Sequence, residues 1–279
     1  MSTLHRDGEG PRVEPVSSRD NAGYKALKRL VKDSAAYRRQ QRVWLEGDHL
    51  CRAALQRGRV PVEAVFSASE WASASHAWAA HAGLRGVRVS VLDDALWAGL
   101  STLESPARMG FVLPMPESPL LDAAAPPVVL DRVQDAGNVG SILRSAAAFG
   151  FTQVLALSGT AALWSPKVLR AGMGAHFALR LIEGADSHTL DALQIPLLAT
   201  SSHEGVVLGQ AALPWPCAWL LGNEGQGVSA GLLERAALRV RIAQPGGEES
   251  LNVSAAAAIC LYASVQSRGD THAPHRSGA

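Results

Sequence analysis

Few cysteines and no long apolar run limit the classes of protein to which this sequence can belong. The three cysteines, Cys51, Cys217 and Cys260, are far apart and form no C-x-x-C pair, which predicts reduced, buried thiols and no metal site. No apolar run approaches the roughly 20 residues that a membrane span requires. The polar segment 1–12 lacks the apolar core of a secretory signal. We therefore expect a cytoplasmic protein without a membrane partner.

Charges of the two signs nearly balance, giving a formal net charge of +1 at pH 7, but they are unevenly distributed. Between Arg19 and Arg59, eleven Lys and Arg residues stand against four Asp and Glu residues. Such a run is typical of a solvated helical face, or of a surface that neutralises nucleic-acid phosphates. Composition alone leaves both interpretations open. The candidate RNA-binding residues in this run are Arg19, Lys25, Lys28, Arg29, Arg38 and Arg39.

Composition and periodicity divide the chain into two α/β domains. Strand-like segments alternate with helix-like segments up to Leu113, and the aperiodic, Pro-rich stretch that follows predicts a linker. The alternation begins again at Val128 and predicts a parallel sheet covered on both faces. An Ala-rich helix after Asn252 is apolar on nearly all sides, so we expect it to be buried. The predicted division is a disordered tail at 1–17, a small domain at 18–113, a linker at 114–126, a second domain at 127–266 and a disordered tail at 267–279.

Two glycine-containing loops in the second domain follow strand-like segments. The segment 219–221 runs directly into Gly222-Asn223-Glu224-Gly225-Gln226-Gly227, and 238–242 leads to a loop that delivers Ser250 and Asn252. Glycines at such positions let the backbone approach a ligand closely. The carboxyl ends of parallel strands form binding crevices in open α/β sheets, so we interpret the loops as a cofactor site. The G-x-G-x-x-G spacing of dinucleotide-binding enzymes is absent, which disfavours an oxidoreductase.

A further candidate segment lies near the start of the second domain. Asp135 and Asn138 are turn and cap formers within Asp135–Gly140, and Arg144 follows on a predicted helix. The segment is compatible with an ordinary turn between a strand and a helix. Arg144 is compatible with a surface residue or with a guanidinium directed at the mouth of the sheet, and sequence physics alone favours neither.

Together these segments resemble the motifs of the SpoU/TrmH-type RNA ribose 2′-O-methyltransferases of the SPOUT class. The motifs are Asp135-x-Gly137-Asn138-x-Gly140 with Arg144, Gly222-Asn223-Glu224-Gly225-x-Gly227, and Ser250-Leu251-Asn252-Val253. The resemblance implies a parallel-sheet α/β domain with a C-terminal trefoil knot, S-adenosylmethionine as cofactor and a homodimer formed through this domain. The domain at 18–113 more loosely resembles the family's small ribosomal-protein-like domain, which binds the RNA substrate.

The resemblance also implies roles for individual residues. Arg144 corresponds to the residue closest to the reacting hydroxyl. A guanidinium is a poor base, so we expect orientation and oxyanion stabilisation from it, and the alternative is the role of base that is often given to this arginine in the family. For Glu224, a loop carboxylate that caps N–H groups is the alternative. Asn138, Glu224, Ser250 and Asn252 correspond to residues that frame the reacting centre, and Gly222, Ile242 and Leu251 to residues that hold the cofactor. Thr200, at the end of its predicted strand, is a further candidate for holding the cofactor.

The function implied is S-adenosylmethionine-dependent methylation of a ribose 2′-hydroxyl in structured RNA, with ribosomal RNA favoured over transfer RNA. DNA lacks this hydroxyl and is not an expected partner. The alternatives are a transfer RNA methyltransferase and a non-catalytic RNA-binding or ribosome-assembly protein of the same fold. The sequence departs from the family pattern at Ala136, where proline is frequent, and at Ile242-Ala243-Gln244-Pro245, where Ile-Pro-Met is more usual.

Overall fold

The computed structural model describes residues 11–101, 106–246 and 250–270, without the side chains of residues 269 and 270. The chain forms two compact units, Met1–Glu117 with Trp164–Arg170, and Ser118–Leu163 with Ala171–Ala279. The division after residue 117 falls within the predicted linker, whereas the assignment of 164–170 to the first unit was not predicted. Within the described ranges, no helix is both long and apolar enough to cross a membrane.

The first unit contains a mixed five-stranded sheet with helices packed on it. Its strand order is β1-β4-β3-β5-β2, and β5 runs antiparallel to β3 and β2. Large side chains of its core, among them Trp44, Tyr37 and Phe66, are fully buried. The elements are β1 (Arg12–Val16), α1 (Ala22–Lys32), α2 (Ala36–Gln40), β2 (Arg42–Glu46), α3 (Asp48–Gln56), β3 (Glu63–Ser67), α4 (Ala68–Ala79), β4 (Arg88–Leu92), α5 (Asp94–Ala98) and β5 (Met109–Pro114).

Helix α1 has the one-sided character that its sequence predicts. Asn21 caps its first turn by accepting a hydrogen bond from the Tyr24 amide at 3.0 Å. Residues at helical spacing then bury one face, and the cations lie on the exposed faces. The buried residues are Tyr24, Leu27, Leu30 and Val31.

Strand β1 corrects the predicted N-terminal tail. Residues 1–10 of that tail lie outside the described residues, but Arg12–Val16 pairs in parallel register with β4, Arg12 opposite Arg88. The proline and charges of this segment predict disorder from the sequence alone. Pro15 is tolerated because β1 is an edge strand, where a missing N–H need not face a partner.

The second unit is built on a seven-stranded, wholly parallel sheet in the order β10-β12-β9-β11-β6-β7-β8. Strands β6, β7 and β11 are buried at every residue, as expected for a parallel sheet covered on both faces. The predicted α/β class with a parallel sheet is confirmed. The elements along this part of the chain are β6 (Pro127–Leu130), α6 (Ala136–Ala148), β7 (Gln153–Leu157), α7 (Pro166–Gly172), β8 (Arg180–Ala185), β9 (Leu197–Thr200), β10 (Val206–Val207), β11 (Ala218–Leu221), α8 (Ala230–Arg235), β12 (Leu238–Arg241) and α9 (Val253–Asp270). Residues 166–170 of α7 belong to the first unit.

Helix α9 is buried on one face only, which corrects the expectation of burial on nearly all sides. Ala257, Cys260 and Leu261 are fully buried, whereas Ile259 and Tyr262 are 41% and 52% exposed. The helix also continues to Asp270, past the predicted domain end at 266, and residues 271–279 of the predicted tail lie outside the described residues. A single chain therefore leaves an apolar stripe of α9 open to solvent.

Trp219 connects the central strand β11 to α9 and should be sensitive to the loss of one hydrogen bond. It is fully buried, and its Nε1 donates to Ser264 Oγ at 2.9 Å. Trp219→Phe removes that donor and part of the ring, so we expect unfolding to require about 1–3 kcal/mol less free energy in urea titrations. Trp215→Phe is the control, because the half-buried Trp215 indole N–H makes no hydrogen bond within the described part of the chain. An equal loss for both variants would contradict the role of the hydrogen bond.

Candidate active site

The carboxyl ends of β12, β9 and β11 open into a cavity of about 510 Å³. The three strands are neighbours in the sheet and parallel, so the loops that follow them meet at one edge. Three segments, 200–204, 222–228 and 250–253, form most of its wall. The volume lies within the range of about 300–1,000 Å³ typical of small-molecule pockets.

The turn after β11 is held in one conformation by its own backbone. Asn223 exchanges two main-chain hydrogen bonds with Gly227, and its Oδ1 accepts from the amides of Gly225 and Gln226 at 3.0 and 3.1 Å. A Cβ on Gly222 would lie 2.0 Å from the carbonyl carbon of Gly227. From the sequence alone, we expect glycine at position 222 because it lets the backbone approach a ligand closely. In the structure the chain's own main chain already requires glycine there.

Glu224 links this turn to the start of α6. Its carboxylate accepts hydrogen bonds from the amides of Gln134 and Asp135 at 3.2 and 3.1 Å and from Asn138 Nδ2 at 3.1 Å. Burial, the largest influence, acts to raise the pKa of Glu224, but the hydrogen bonds from Asn138 and the main chain together lower it below its usual value of 4.5. The group is therefore ionised at neutral pH. Capping of N–H groups, the alternative considered for this residue, is what the geometry shows.

Asn138 brings the three sequence motifs together. It donates to Glu224, and its Oδ1 accepts from Asn252 Nδ2 at 2.9 Å. Asp135 fixes its main chain by accepting from the Asn138 amide at 2.8 Å, the N-cap that the sequence predicts. Three of the candidate catalytic residues thus form one hydrogen-bonded group.

The glycine at the end of the first motif positions α6. A Cβ on Gly140 would lie 2.3 Å from the Cβ of Ala171, so only glycine allows α6 to approach this segment so closely. Four residues further along, Arg144 is exposed and makes no hydrogen bond or ion pair with the residues that the structure describes. Ser250 is also exposed and lines the cavity. Neither Arg144 nor Asn138 is among the lining residues.

The four candidate cofactor residues, Thr200, Gly222, Ile242 and Leu251, all line the cavity. Thr200 is held in place by donating its hydroxyl to the Leu220 carbonyl at 3.2 Å. Leu251 is 39% exposed, which leaves apolar surface available to a ligand. The residues come from three separate loops, and only folding brings them together.

The cavity wall carries negative charge. Glu204 and Glu224 both contribute to it, and none of the lining residues within the described ranges is Lys or Arg. Glu204 is held by an ion pair with Arg239, whose NH1 lies 3.0 Å from Glu204 Oε2. This electrostatic environment favours a cationic or zwitterionic ligand over an anionic one.

Sequence reasoning missed two residues of this region. Asp131 is buried at the end of β6, and its Oδ2 accepts from the Ser229 amide at 2.7 Å, which fixes the far end of the glycine turn. Gln244 lines the cavity after β12. The position of Asp131 directly after a buried strand was an available signal for the first residue, whereas Gln244 was noted only as a departure from a pattern.

In the first unit, all six candidate RNA-binding residues are exposed. Two of them are paired with acids, Lys25 with Asp20 at 2.7 Å and Arg39 with Asp33. Two others lie over tyrosine rings, Lys28 over Tyr24 and Arg38 over Tyr37. The six cations extend from the segment before α1 to α2.

Comparison with known proteins identifies the family. The SpoU rRNA Methylase family model matches residues 126–262. The 23S rRNA (guanosine(2553)-2′-O)-methyltransferase RlmP of Bacillus subtilis (strain 168) is 32% identical over 180 residues, which span 63% of this chain and 72% of that protein. The chain belongs to the SpoU rRNA methylase family. The resemblance inferred from the three motifs is confirmed.

Two solved structures of the family are similar over most of the chain. A crystal structure of an RNA 2′-O ribose methyltransferase is 31% identical with a TM-score of 0.75, covering 91% of this chain and 99% of that one. A crystal structure of an rRNA methyltransferase with bound AdoMet from Sinorhizobium meliloti is 25% identical with a TM-score of 0.77, covering 91% and 98%. The similarity therefore includes both units of this SpoU family member.

The lowered pKa of Glu224 predicts a pH-dependent contribution to stability. A depressed folded-state pKa stabilises the fold above the usual carboxyl pKa, and this contribution is lost as the pH falls through the lowered value. At pH 7, Glu224→Gln should reduce the free energy of unfolding by about 1 kcal/mol, a small value because the group is solvent-exposed. The difference from the wild type should shrink below pH 4.5, as measured by urea unfolding. Glu234→Gln, at an exposed carboxylate of α8, is the control and should change the free energy of unfolding at pH 7 by less than about 0.5 kcal/mol.

Proposed function

We propose that this SpoU family member transfers a methyl group from S-adenosylmethionine to a ribose 2′-hydroxyl in structured RNA, with ribosomal RNA favoured. The observation that carries the proposal is the Asn138 bridge, which joins Glu224 and Asn252 beside the negatively charged cavity. Through it, residues from all three family motifs form one hydrogen-bonded arrangement. The RlmP relative is named as a 23S rRNA 2′-O-methyltransferase, which supports this reaction and substrate class.

The cavity fits the proposed cofactor in size and charge. Its volume of about 510 Å³ is sufficient for a nucleoside carrying an amino-acid chain, and its carboxylates suit a positively charged sulfur. When bound, S-adenosylmethionine supplies a methyl group whose transfer to a ribose oxygen releases S-adenosylhomocysteine and the hydroxyl proton. Thr200, Gly222, Ile242 and Leu251 are the residues proposed to hold it, and a related structure named as AdoMet-bound supports the assignment.

Arg144 is the residue proposed to act on the hydroxyl. A guanidinium is a poor base, so Arg144 is proposed to orient the hydroxyl and to stabilise the oxygen as negative charge develops. Its exposure, without a hydrogen bond or ion pair to another described residue, leaves its donors available to an incoming substrate. Glu224 is committed to three hydrogen bonds and serves as an anchor. Asn138, Asn252 and Ser250 position the substrate around this anchor.

The first unit is proposed to bind the RNA through the surface formed by Arg19, Lys25, Lys28, Arg29, Arg38 and Arg39. Exposed cations on neighbouring helices can neutralise phosphates along a folded RNA, and the resulting affinity depends strongly on salt. The ribosomal-protein-like character of this unit is an inference from family resemblance.

The trefoil knot and the homodimer are further parts of the proposal. For the knot, the support is family membership together with the meeting of the 200–204, 222–228 and 250–253 segments at one cavity. For the dimer, it is the exposed stripe of α9, where Tyr262 packs edge-on against Phe149 at 5.8 Å while remaining 52% exposed. The last part of the proposal is a cytoplasmic location, which the three free, buried cysteines support.

The test is transfer of labelled methyl groups from S-adenosylmethionine to purified ribosomal RNA and transfer RNA, both taken from cells that lack the gene. We expect label in ribosomal RNA at one ribose, mapped by resistance of the adjacent phosphodiester to alkali. Label in transfer RNA alone would identify the transfer RNA alternative. Binding of both RNA and cofactor without any transfer would indicate the non-catalytic alternative.

A further inference from the structure

Gln244 carries a buried acceptor that no residue in the described part of the chain satisfies. The side chain lines the cavity, and among residues 11–101, 106–246 and 250–270 no group donates a hydrogen bond to its Oε1. Buried side-chain polar atoms in folded proteins nearly always have a partner, so this exception requires an explanation. A ligand that enters the cavity with a donor group would supply one.

The oxygens of the other side-chain amides in the cavity wall are already engaged. Asn223 Oδ1 accepts from two amides of its own turn, and Gln226 Oε1 accepts from Arg132 NH1 at 3.0 Å. Asn252 Oδ1 accepts from the amide of Ser254 at 2.8 Å. Gln244 therefore stands apart from the other amide side chains around the cavity.

The surroundings of Gln244 suit a flat aromatic ring with a polar edge. Val240, Ile242 and Leu251 supply apolar surface to the same cavity. The side-chain amide of glutamine matches the edge of adenine, because Oε1 accepts from the 6-amino group while Nε2 donates to N7. Adenine is the one aromatic ring of the cofactor proposed above.

We propose that Gln244 is a specificity-determining residue that recognises the 6-amino group of the cofactor's adenine. The inference rests on the proposed function, since it assumes that S-adenosylmethionine occupies this cavity. It concerns a position at which this chain departs from the Ile-Pro-Met pattern more usual in the family, so it is a property of this chain. On this proposal, the bound cofactor supplies the donor that the described residues do not give to Gln244 Oε1.

Calorimetry with S-adenosylhomocysteine and its 6-desamino analogue, which carries hydrogen in place of the amino group, tests this. The wild-type protein should bind the analogue about 10- to 100-fold more weakly. Gln244→Met keeps the side-chain length without the amide, so it should bind both ligands with similar affinity. Gln244→Glu keeps an acceptor for the amino group and should retain preference for S-adenosylhomocysteine. Gln210→Leu, exposed and outside the cavity, should leave both affinities unchanged.

The outcomes separate the two proposals. Wild-type discrimination that persists in Gln244→Met overturns the role of Gln244 and leaves the cofactor site standing. A wild-type protein that binds neither ligand overturns both. A Gln244→Met variant with unchanged ligand affinities but altered use of RNA would mean that Gln244 faces the RNA, which also overturns the inference. Thermal unfolding without ligand should be unchanged or raised in Gln244→Met, because an unsatisfied buried acceptor has been removed.

Discussion

Gly222→Ala is expected to abolish binding of S-adenosylmethionine. A Cβ at this position would lie 2.0 Å from both the carbonyl carbon of Gly227 and the amide nitrogen of Val228. Both are main-chain atoms of a turn closed by two hydrogen bonds between Asn223 and Gly227, so the turn must open or move. Overpacking of this kind costs about 1–3 kcal/mol. Since the turn forms one wall of the cavity, we expect no detectable calorimetric binding and a lowered unfolding midpoint.

Gly231→Ala is the matched control for this substitution. Gly231 lies in α8, and a Cβ there would meet no atom within 4 Å. Alanine should therefore raise the free energy of unfolding by about 0.5–1 kcal/mol, the usual helix preference over glycine, and leave cofactor affinity unchanged. If Gly222→Ala bound the cofactor as well as Gly231→Ala does, the turn would not be the rigid wall described above.

Arg144→Ala should reduce the rate of methyl transfer at saturating RNA by at least about 10²- to 10³-fold, the usual effect of removing one group that stabilises a developing oxyanion. Cofactor affinity should change less than about twofold, because Arg144 does not line the cavity. Arg144→Lys keeps the charge but not the planar fork of donors, and we expect an intermediate rate. Single-turnover methylation assays with calorimetry measure both quantities.

Arg180→Ala provides the comparison for Arg144. Arg180 is likewise exposed in the second unit, on strand β8 at the sheet edge opposite β10. Among the described residues, its side chain has only a long ion pair of 3.7 Å with Asp122. Arg180→Ala should keep the rate of methyl transfer within about threefold of the wild-type rate, because a surface ion pair contributes little energy. Retained turnover in Arg144→Ala would remove the assigned role and with it the proposed mechanism.

A crevice at the carboxyl end of β11 could be predicted from the sequence, but the structural reason for glycine at position 222 could not. A fully apolar strand running into Gly222–Gly227 was enough to predict a crevice at the end of β11, because strand burial and glycine frequency are local properties. The contact between Gly222 and Val228 is not local in this sense. The contact depends on the conformation in which the turn folds back on itself, and that conformation could not be inferred from the residue types of the turn.

The same distinction applies to the edges of the fold. The one-sided burial of α1 followed from periodicity, whereas β1 did not, since its five residues gain their conformation by pairing with β4, more than 70 residues away. The apolar composition of α9 predicted that the helix is buried, but not which part of the protein packs on each of its faces. The single chain covers one face, and the sequence contains no local signal for a partner on the other.

The bridge through Asn138 has a direction. The Ser254 hydroxyl donates a hydrogen bond to Asn252 Oδ1, the Asn252 amide donates one to Asn138 Oδ1, and the Asn138 amide donates one to the Glu224 carboxylate. The Glu224 carboxylate therefore fixes which end of the Asn138 amide faces it, and the main-chain amide of Ser254 independently fixes the orientation of Asn252. The amide of Asn138 is thus oriented from both ends, by an acceptor in the glycine turn and by an asparagine that caps α9, so two distant parts of the sequence set the orientation of a side chain in a third.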